Sequence, residues 1–302
     1  MISFCGLKGA PGASTLALLT RALWPAQAVL VEADPGGGEF ALTVAGPGGQ
    51  ALPAKPSISD LALSAAQRMP SIERVWEAAL ETAAGPVVCG LPSAQPMGNL
   101  LREYGRHLAS LLSGESDVVV DAGRLAPDSA SLPLLAAANV VAVVVPDRPE
   151  ALFRLADLLP GLGSVLRVAE DVRSVVVPVV TTQRGQVAAR EIDEAMAQHH
   201  IPTRPARWLG WDPKAVPAVR GGDLARVQRS TLLRSARTVV ETLAAEQASV
   251  IEQRTARARL ATAQFSDAAS QWRGMGRPPG PPPAPPVSHP MNGHESGVRS
   301  HG

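Results

Sequence analysis

Cysteine is nearly absent. Cys5 and Cys89 are the only two in 302 residues, too far apart in the chain to suggest a disulfide framework, and a reduced, cytosolic setting fits better. Aromatic residues make up 3% of the chain, so Ala, Val and Leu must build most of the core. Charge of one sign is not in excess. The net charge of +1 gives no global field toward nucleic acid or acidic lipid. No apolar run approaches the ~18 residues that a membrane-spanning helix needs. No basic segment leads into an apolar stretch at the start, so no secretory leader is expected. A dense basic cluster is also missing. Arg220, Arg226, Arg229, Arg234 and Arg237 are scattered and read as a solvated helix face, so direct sequence-specific nucleic-acid binding is not expected. The first strand-to-helix turn has no G-x-G-x-x-G, and no nucleophile–base constellation occurs elsewhere, which argues against an unrelated dinucleotide-dependent enzyme. There is no internal repeat.

What is present is a hydrophobic content of 45%, enough for a full core. Short β-branched runs alternate with amphipathic segments. The runs predict strands over 2–5, 29–32, 86–90, 117–121, 140–145, 174–180 and 204–209. The amphipathic segments predict helices over 14–23, 58–66, 72–83, 97–112, 129–137, 150–159, 187–198 and 231–245. Most of the strands are continuous apolar runs, which suits strands covered on both faces. The expected fold class is therefore α/β: a mostly parallel sheet of about seven strands with helices on both sides.

Three segments are expected. Residues 1–245 form the α/β domain. Residues 246–273 extend the last helix, as a solvated continuation or as an amphipathic docking helix using Arg254, Arg257, Arg259, Leu260, Phe265 and Trp272. Residues 274–302 form a Pro-rich tail, read as disordered or polyproline II. His289, His294 and His301 in this tail lack metal-ligand spacing.

Chemistry concentrates at three strand ends. The first is the loop Gly6-Leu7-Lys8-Gly9-Ala10-Pro11-Gly12-Ala13-Ser14-Thr15. It sits between a strand and a helix, like a phosphate-binding G-x-x-x-x-G-K-[ST] loop. Gly9 and Gly12 let backbone N–H groups turn toward an anion at a helix N-terminus. Ser14 is placed to ligate Mg²⁺. Leu7 stands at the motif's first glycine and Ala13 at its lysine. The second is Glu32-Ala33-Asp34-Pro35-Gly36-Gly37, where a strand delivers acids to the sheet edge at which α/β proteins bind ligands. The alternative for Glu32 and Asp34 is ordinary solvated strand-end acids. The third is Asp117-Val118-Val119-Val120-Asp121, the form of a Walker B strand whose terminal carboxylate, Asp121, holds Mg²⁺.

Together these residues resemble the MinD/ParA family, the deviant-Walker-A P-loop ATPases of the SIMIBI class. The family loop K-G-G-x-G-K-[ST]-[ST] is matched by Lys8-Gly9-Ala10-Pro11-Gly12-Ala13-Ser14-Thr15. Lys8 falls on the signature lysine, which in the family reaches a partner's phosphates across a sandwich dimer. Asp34 falls on the water-positioning aspartate and Asp121 on the Walker B aspartate. Pro146-Asp147-Arg148-Pro149-Glu150 and Leu209-Gly210-Trp211-Asp212-Pro213-Lys214 resemble later family segments, the second near the base. The likeness spans about residues 1–245 and is specific in the first forty.

The resemblance implies ATP and Mg²⁺ as ligands. Lys8 and Asp34 would be catalytic. Lys8, Gly9, Ala10, Pro11, Gly12, Ala13, Ser14, Thr15 and Gln183 would contact nucleotide. Ser14, Asp34 and Asp121 would hold the metal. It also implies a homodimer and a protein partner from a partitioning, septum, pilus or secretion system. The setting would be the bacterial cytoplasm, with membrane contact only through a partner. Ala13 departs from the pattern: losing a charge-assisted contact costs roughly 1.5–3 kcal/mol, and more where charge develops in a transition state. Hydrolysis is therefore expected to be weak or absent. Gln183 stands where the family often has an Asn reading adenine. Arg124, after the Walker B strand, is a candidate for positive charge toward the phosphates. The competing expectation is a catalytically dead scaffold that recruits a partner through its last helix and tail.

Overall fold

The computed structural model describes residues 1–8, 12–67, 71–114, 117–166 and 174–274, with backbone alone at 164, 261 and 263–274. In chain order the elements are β1 (Ile2–Gly6), α1 (Ala13–Leu23), β2 (Ala28–Glu32), α2 (Phe40–Thr43), α3 (Ile58–Ala65), α4 (Glu73–Glu77), β3 (Leu80–Thr82), β4 (Gly85–Val88), α5 (Ala94–Leu112), β5 (Asp117–Arg124), α6 (Leu132–Ala137), β6 (Val140–Pro146), α7 (Pro149–Leu166), β7 (Val175–Thr182), α8 (Gln186–Gln198), β8 (Arg207–Gly210), α9 (Val216–Arg220) and α10 (Thr231–Gly274). The eight strands form one sheet in the order β3-β4-β2-β5-β1-β6-β7-β8. Every pairing is parallel except β3 with β4.

Alternation along the strands sends successive side chains to opposite faces. On one face Ile2, Phe4, Leu30 and Val119 pack with Leu16 and Leu19 of α1 and with Leu233, Ala236 and Val239 of α10. On the other, Val29, Val31, Val118 and Val120 pack with α3, α5, α6, α7 and α8 through residues such as Leu61, Leu108, Leu135, Leu155 and Ile192. The doubly covered parallel sheet is the expected fold class, with one strand more than predicted.

Two helix expectations need correction. The helix predicted over 72–83 stops at Glu77, and Leu80–Thr82 becomes the antiparallel edge strand. The Ala- and Glu-rich run favours helix locally, but Leu80 and Thr82 bury one face of a strand and Gly85, at φ +100°, turns the chain back into β4. The helix predicted to end at Leu159 runs through Pro160 to Leu166, because Leu155, Leu159, Leu162 and Leu166 all bury one helical face. The short helices α2 and α9 were not predicted.

By compactness the chain divides into two units, Met1–Arg257 and Ala258–Gly302. Within the first, α10 is anchored beyond residue 245. Val250 is fully buried. Gln247 Nε2 donates to Asp117 Oδ1 at 2.6 Å, while the Trp24 indole donates to Asp117 Oδ2 at 2.8 Å. Arg254 donates to Asn139 Oδ1 at 2.6 Å. In the second unit the described residues continue as helix to Gly274, and Leu260 is exposed. The expected Pro-rich tail lies outside the described residues.

Candidate functional site

The centre of the sheet is where the strand order reverses, and such a switch point leaves a crevice at the strands' C-terminal ends. β5 lies between β1 and β2 there, and its Asp121 pairs in register with Phe4 on one side and Glu32 on the other. Just past Asp121 the register slips: Phe4 faces Asp121, but Gly6 faces Arg124. Two residues of β1 therefore span three of β5, which is a β-bulge at Ala122 and Gly123. Gly123 takes φ +69°, a conformation that L side chains rarely adopt. Its N–H donates to Asp121 Oδ1 at 3.2 Å. A Cβ at Gly123 would overlap the Asp34 carboxylate.

Asp34 follows the end of β2 and is half-buried. It accepts the Gly36 N–H at 2.7 Å, which fixes the turn into the glycine stretch. The Ser14 hydroxyl lies against the Asp121 carboxyl and favours its ionised form. Ser14, Asp34, Asp121 and Gly123 thus form one contiguous cluster drawn from α1, the turn after β2 and β5.

Electrostatically the cluster is short of positive charge. Burial pushes the Asp121 carboxyl up to about 7; Ser14 and Gly123 oppose the shift, and the charges of Asp34 and Glu32 add to it. Asp34 is raised by burial and by Glu39, against its bond from Gly36. Hard oxygen donors whose carboxyls are held less acidic than usual suit a divalent cation, which would restore their ionised forms. Among the described residues no group of three or more His, Cys, Asp or Glu could hold a metal ion alone. Mg²⁺ binds through one or two carboxylates and takes the rest of its shell from water and substrate phosphates.

Glu32 has a different task. It is 3% exposed and accepts three backbone N–H groups: Glu39 at 2.6 Å and Phe40 at 2.9 Å on Oε1, and Gly90 at 2.8 Å on Oε2. It ties the glycine stretch and the end of β4 to β2. It is not the solvated acid that was the alternative expectation.

Beside the cluster lies a cavity of about 610 Å³, within the range of small-molecule sites. One end is formed by Gly12, Ala13, Ser14 and Thr15, where α1 begins. Gly12 sits at φ +114° and its C=O accepts the Leu16 N–H at 2.8 Å, so the first N–H groups of the helix are left for an anion. Asp34 and Arg124 flank the middle, and Thr181, Leu209, Trp211 and Asp212 form the far end.

No family model matches the sequence, and no curated protein is significantly similar to it. Solved structures do share its architecture. A ParA family ATPase from Chlorobium tepidum TLS matches with a TM-score of 0.59 and 15% identity, over 79% of this chain and 96% of that one. The complex of McdA from Cyanothece with ATP gives 0.56 and 17%, over 81% and 96%. The septum site-determining protein MinD from Pyrococcus horikoshii OT3, complexed with Mg-ADP, gives 0.56 and 14%, over 80% and 96%. The chain has the ParA/MinD fold.

On this fold the structure brings together most of the residues singled out from sequence. Gly12, Ala13, Ser14, Thr15 and Asp34 line the cavity, and Asp121 lies against it through Ser14. Lys8 is exposed and does not line the cavity. Gly9, Ala10 and Pro11 lie outside the described residues. Gln183 is exposed and also off the cavity wall. Its neighbours have other partners: Thr182 donates to Asp147, and Arg184 is gripped by Asp147 and Glu191 at 2.5–2.8 Å. The lining residue from that strand is Thr181, which sequence reasoning passed over because a threonine at a strand end carries no distinctive signal. Arg220 was likewise read only as part of a solvated helix face, yet it lines the cavity.

Proposed function

We propose that this chain is a MinD/ParA-like nucleotide-binding switch that takes ATP with Mg²⁺. The observation that carries this is the convergence of residues 12–15, Asp34, Gly123 and the Asp121–Ser14 pair on one cavity at the sheet's switch point. In this reading the α1 N-terminus and the N–H groups of residues 12–15 cradle the phosphates. Ser14, Asp121 and Asp34 hold Mg²⁺, which would neutralise charge between phosphate oxygens. Asp34 orients water near the terminal phosphate. Trp211, Asp212 and Leu209 enclose the base. The McdA and MinD neighbours, solved with ATP and Mg-ADP, support nucleotide and Mg²⁺ as the ligand class.

Hydrolysis is slow or absent because a buried methyl, Ala13, occupies the position of the phosphate-clamping lysine. Lys8 is exposed, as a residue that reaches into a second copy must be. ATP therefore favours a homodimer, and the dimer engages a protein partner in cellular positioning: partitioning, septum, pilus or secretion machinery. The proposed setting is cytoplasmic, with any membrane contact made through that partner. No helix of the described residues is long and apolar enough to cross a membrane.

Calorimetric titration with Mg-ATP, paired with light scattering on wild type and Lys8→Ala, tests the reading. Saturable ATP binding with a Lys8-dependent rise in mass is expected. Absence of ATP binding overturns it. ATP binding with no change in mass favours a scaffold that uses the nucleotide structurally, a second reading supported by Ala13 itself.

A further inference from the structure

The cavity has a charge problem that its sequence motifs do not solve. A nucleoside triphosphate would bring several negative charges next to the carboxyl groups of Asp34, which lines the cavity, and Asp121, which lies against it through Ser14. Ala13 offers no charge. One divalent ion leaves an excess, so a protein cation is needed at the phosphate end.

Among the described residues, two cations line the cavity: Arg124 and Arg220. Arg220 faces Glu39, with 3.9 Å between their charged atoms. Arg184, at the nearby end of β7, is consumed by its two carboxylates. Arg124 is exposed and has no hydrogen-bond or ion-pair partner among the described residues.

The β-bulge explains how Arg124 reaches this position. In a regular strand, residues three apart point to opposite faces. Asp121 pairs with Phe4 and Arg124 with Gly6, two residues of β1 that share a face, so the extra residue returns Arg124 to the face of Asp121. The Leu125 N–H then donates to Gly6 O at 2.9 Å, holding the strand end against the start of the phosphate loop. The same Gly123 that admits Asp34 therefore aims Arg124 into the cavity.

We propose that Arg124 is the cation of the phosphate site, taking over from the opposite wall the charge that a lysine at position 13 would supply, and that it acts on the terminal phosphate of a nucleoside triphosphate. This deepens the nucleotide reading above and rests on it. The guanidinium presents a planar fork of donors that matches phosphate oxygens bidentately, which suits it to act from across a gap.

The test uses the full chain and two probes, Mg-ATP and Mg-ADP, in calorimetric titrations. Arg124→Ala is expected to weaken Mg-ATP about tenfold or more and Mg-ADP less than about threefold. Adding Ala13→Lys to Arg124→Ala is expected to recover ATP affinity, because the lysine returns the missing charge from the other wall. Thermal melting should match wild type, since Arg124 is exposed. ATP affinity within twofold of wild type for Arg124→Ala overturns the inference while leaving the nucleotide reading intact. An equal loss on ADP overturns the assignment to the terminal phosphate. Failure of wild type to bind either nucleotide overturns the parent reading instead.

Discussion

Gly123 and Asp34 occupy adjoining space so closely that a single Cβ at Gly123 would fall inside the Asp34 carboxylate. Gly123 lies in β5 and Asp34 just past the end of the neighbouring β2, and the contact fixes the distance between the end of β5 and the acid after β2.

Gly123→Ala is therefore expected to destabilise the protein. The positive φ and the overlap together predict a loss of about 1–3 kcal/mol in urea unfolding. Asp34→Ala should recover part of it in the double variant, giving a coupling energy of at least ~0.5 kcal/mol. Strict additivity would show that the glycine is required by its backbone conformation alone.

Much of this arrangement could be read in the sequence, for a physical reason. Strands buried on both faces are continuous apolar runs, and their C-terminal residues are fixed once the runs are found. Asp34 and Asp121 were located that way. The bulge was not legible, because a register shift depends on which residues of β1 face which of β5, and no local pattern in 121–124 encodes that pairing. Glu32 read as a strand-end acid, facing a ligand or solvated, because nothing in its neighbourhood announces three incoming backbone N–H groups from residues 39, 40 and 90. The edge strand at 80–82 was hidden by its helix-favouring composition, which tertiary pairing with β4 overrides.

Asp147, between β6 and α7, sets an acid limit on stability. Hydrogen bonds from Arg184 hold its carboxyl below the ordinary 3.8, with Thr182 adding to the effect against partial burial. A carboxylate with a lowered folded pKa contributes stability above its unfolded value and loses it as pH falls through the folded one. The stability gap between wild type and Asp147→Asn should therefore be constant from about pH 5 to 8 and close below about pH 4. Urea midpoints measured across that range check the sign. Because Arg184 is exposed, ~1 M salt should narrow the gap at neutral pH. A gap that widens toward acid would contradict the assignment.

The anchoring of α10 makes a prediction about where the compact unit ends. Past residue 245 the helix still buries Val250 and donates from Gln247 to Asp117 and from Arg254 to Asn139. A chain ending at residue 245 loses that apolar burial and leaves Asp117 with Trp24 as its remaining side-chain donor, at an expected cost of about 2–4 kcal/mol in unfolding free energy. A chain ending at Arg257 keeps all three contacts and should unfold within about 0.5 kcal/mol of the full chain. Denaturant unfolding of the two truncations beside the full chain separates these outcomes. Equal stability of the 245-residue chain would show that the helix beyond that point contributes nothing to the α/β unit. A large loss in the 257-residue chain would place part of the stabilising surface in the segment beyond.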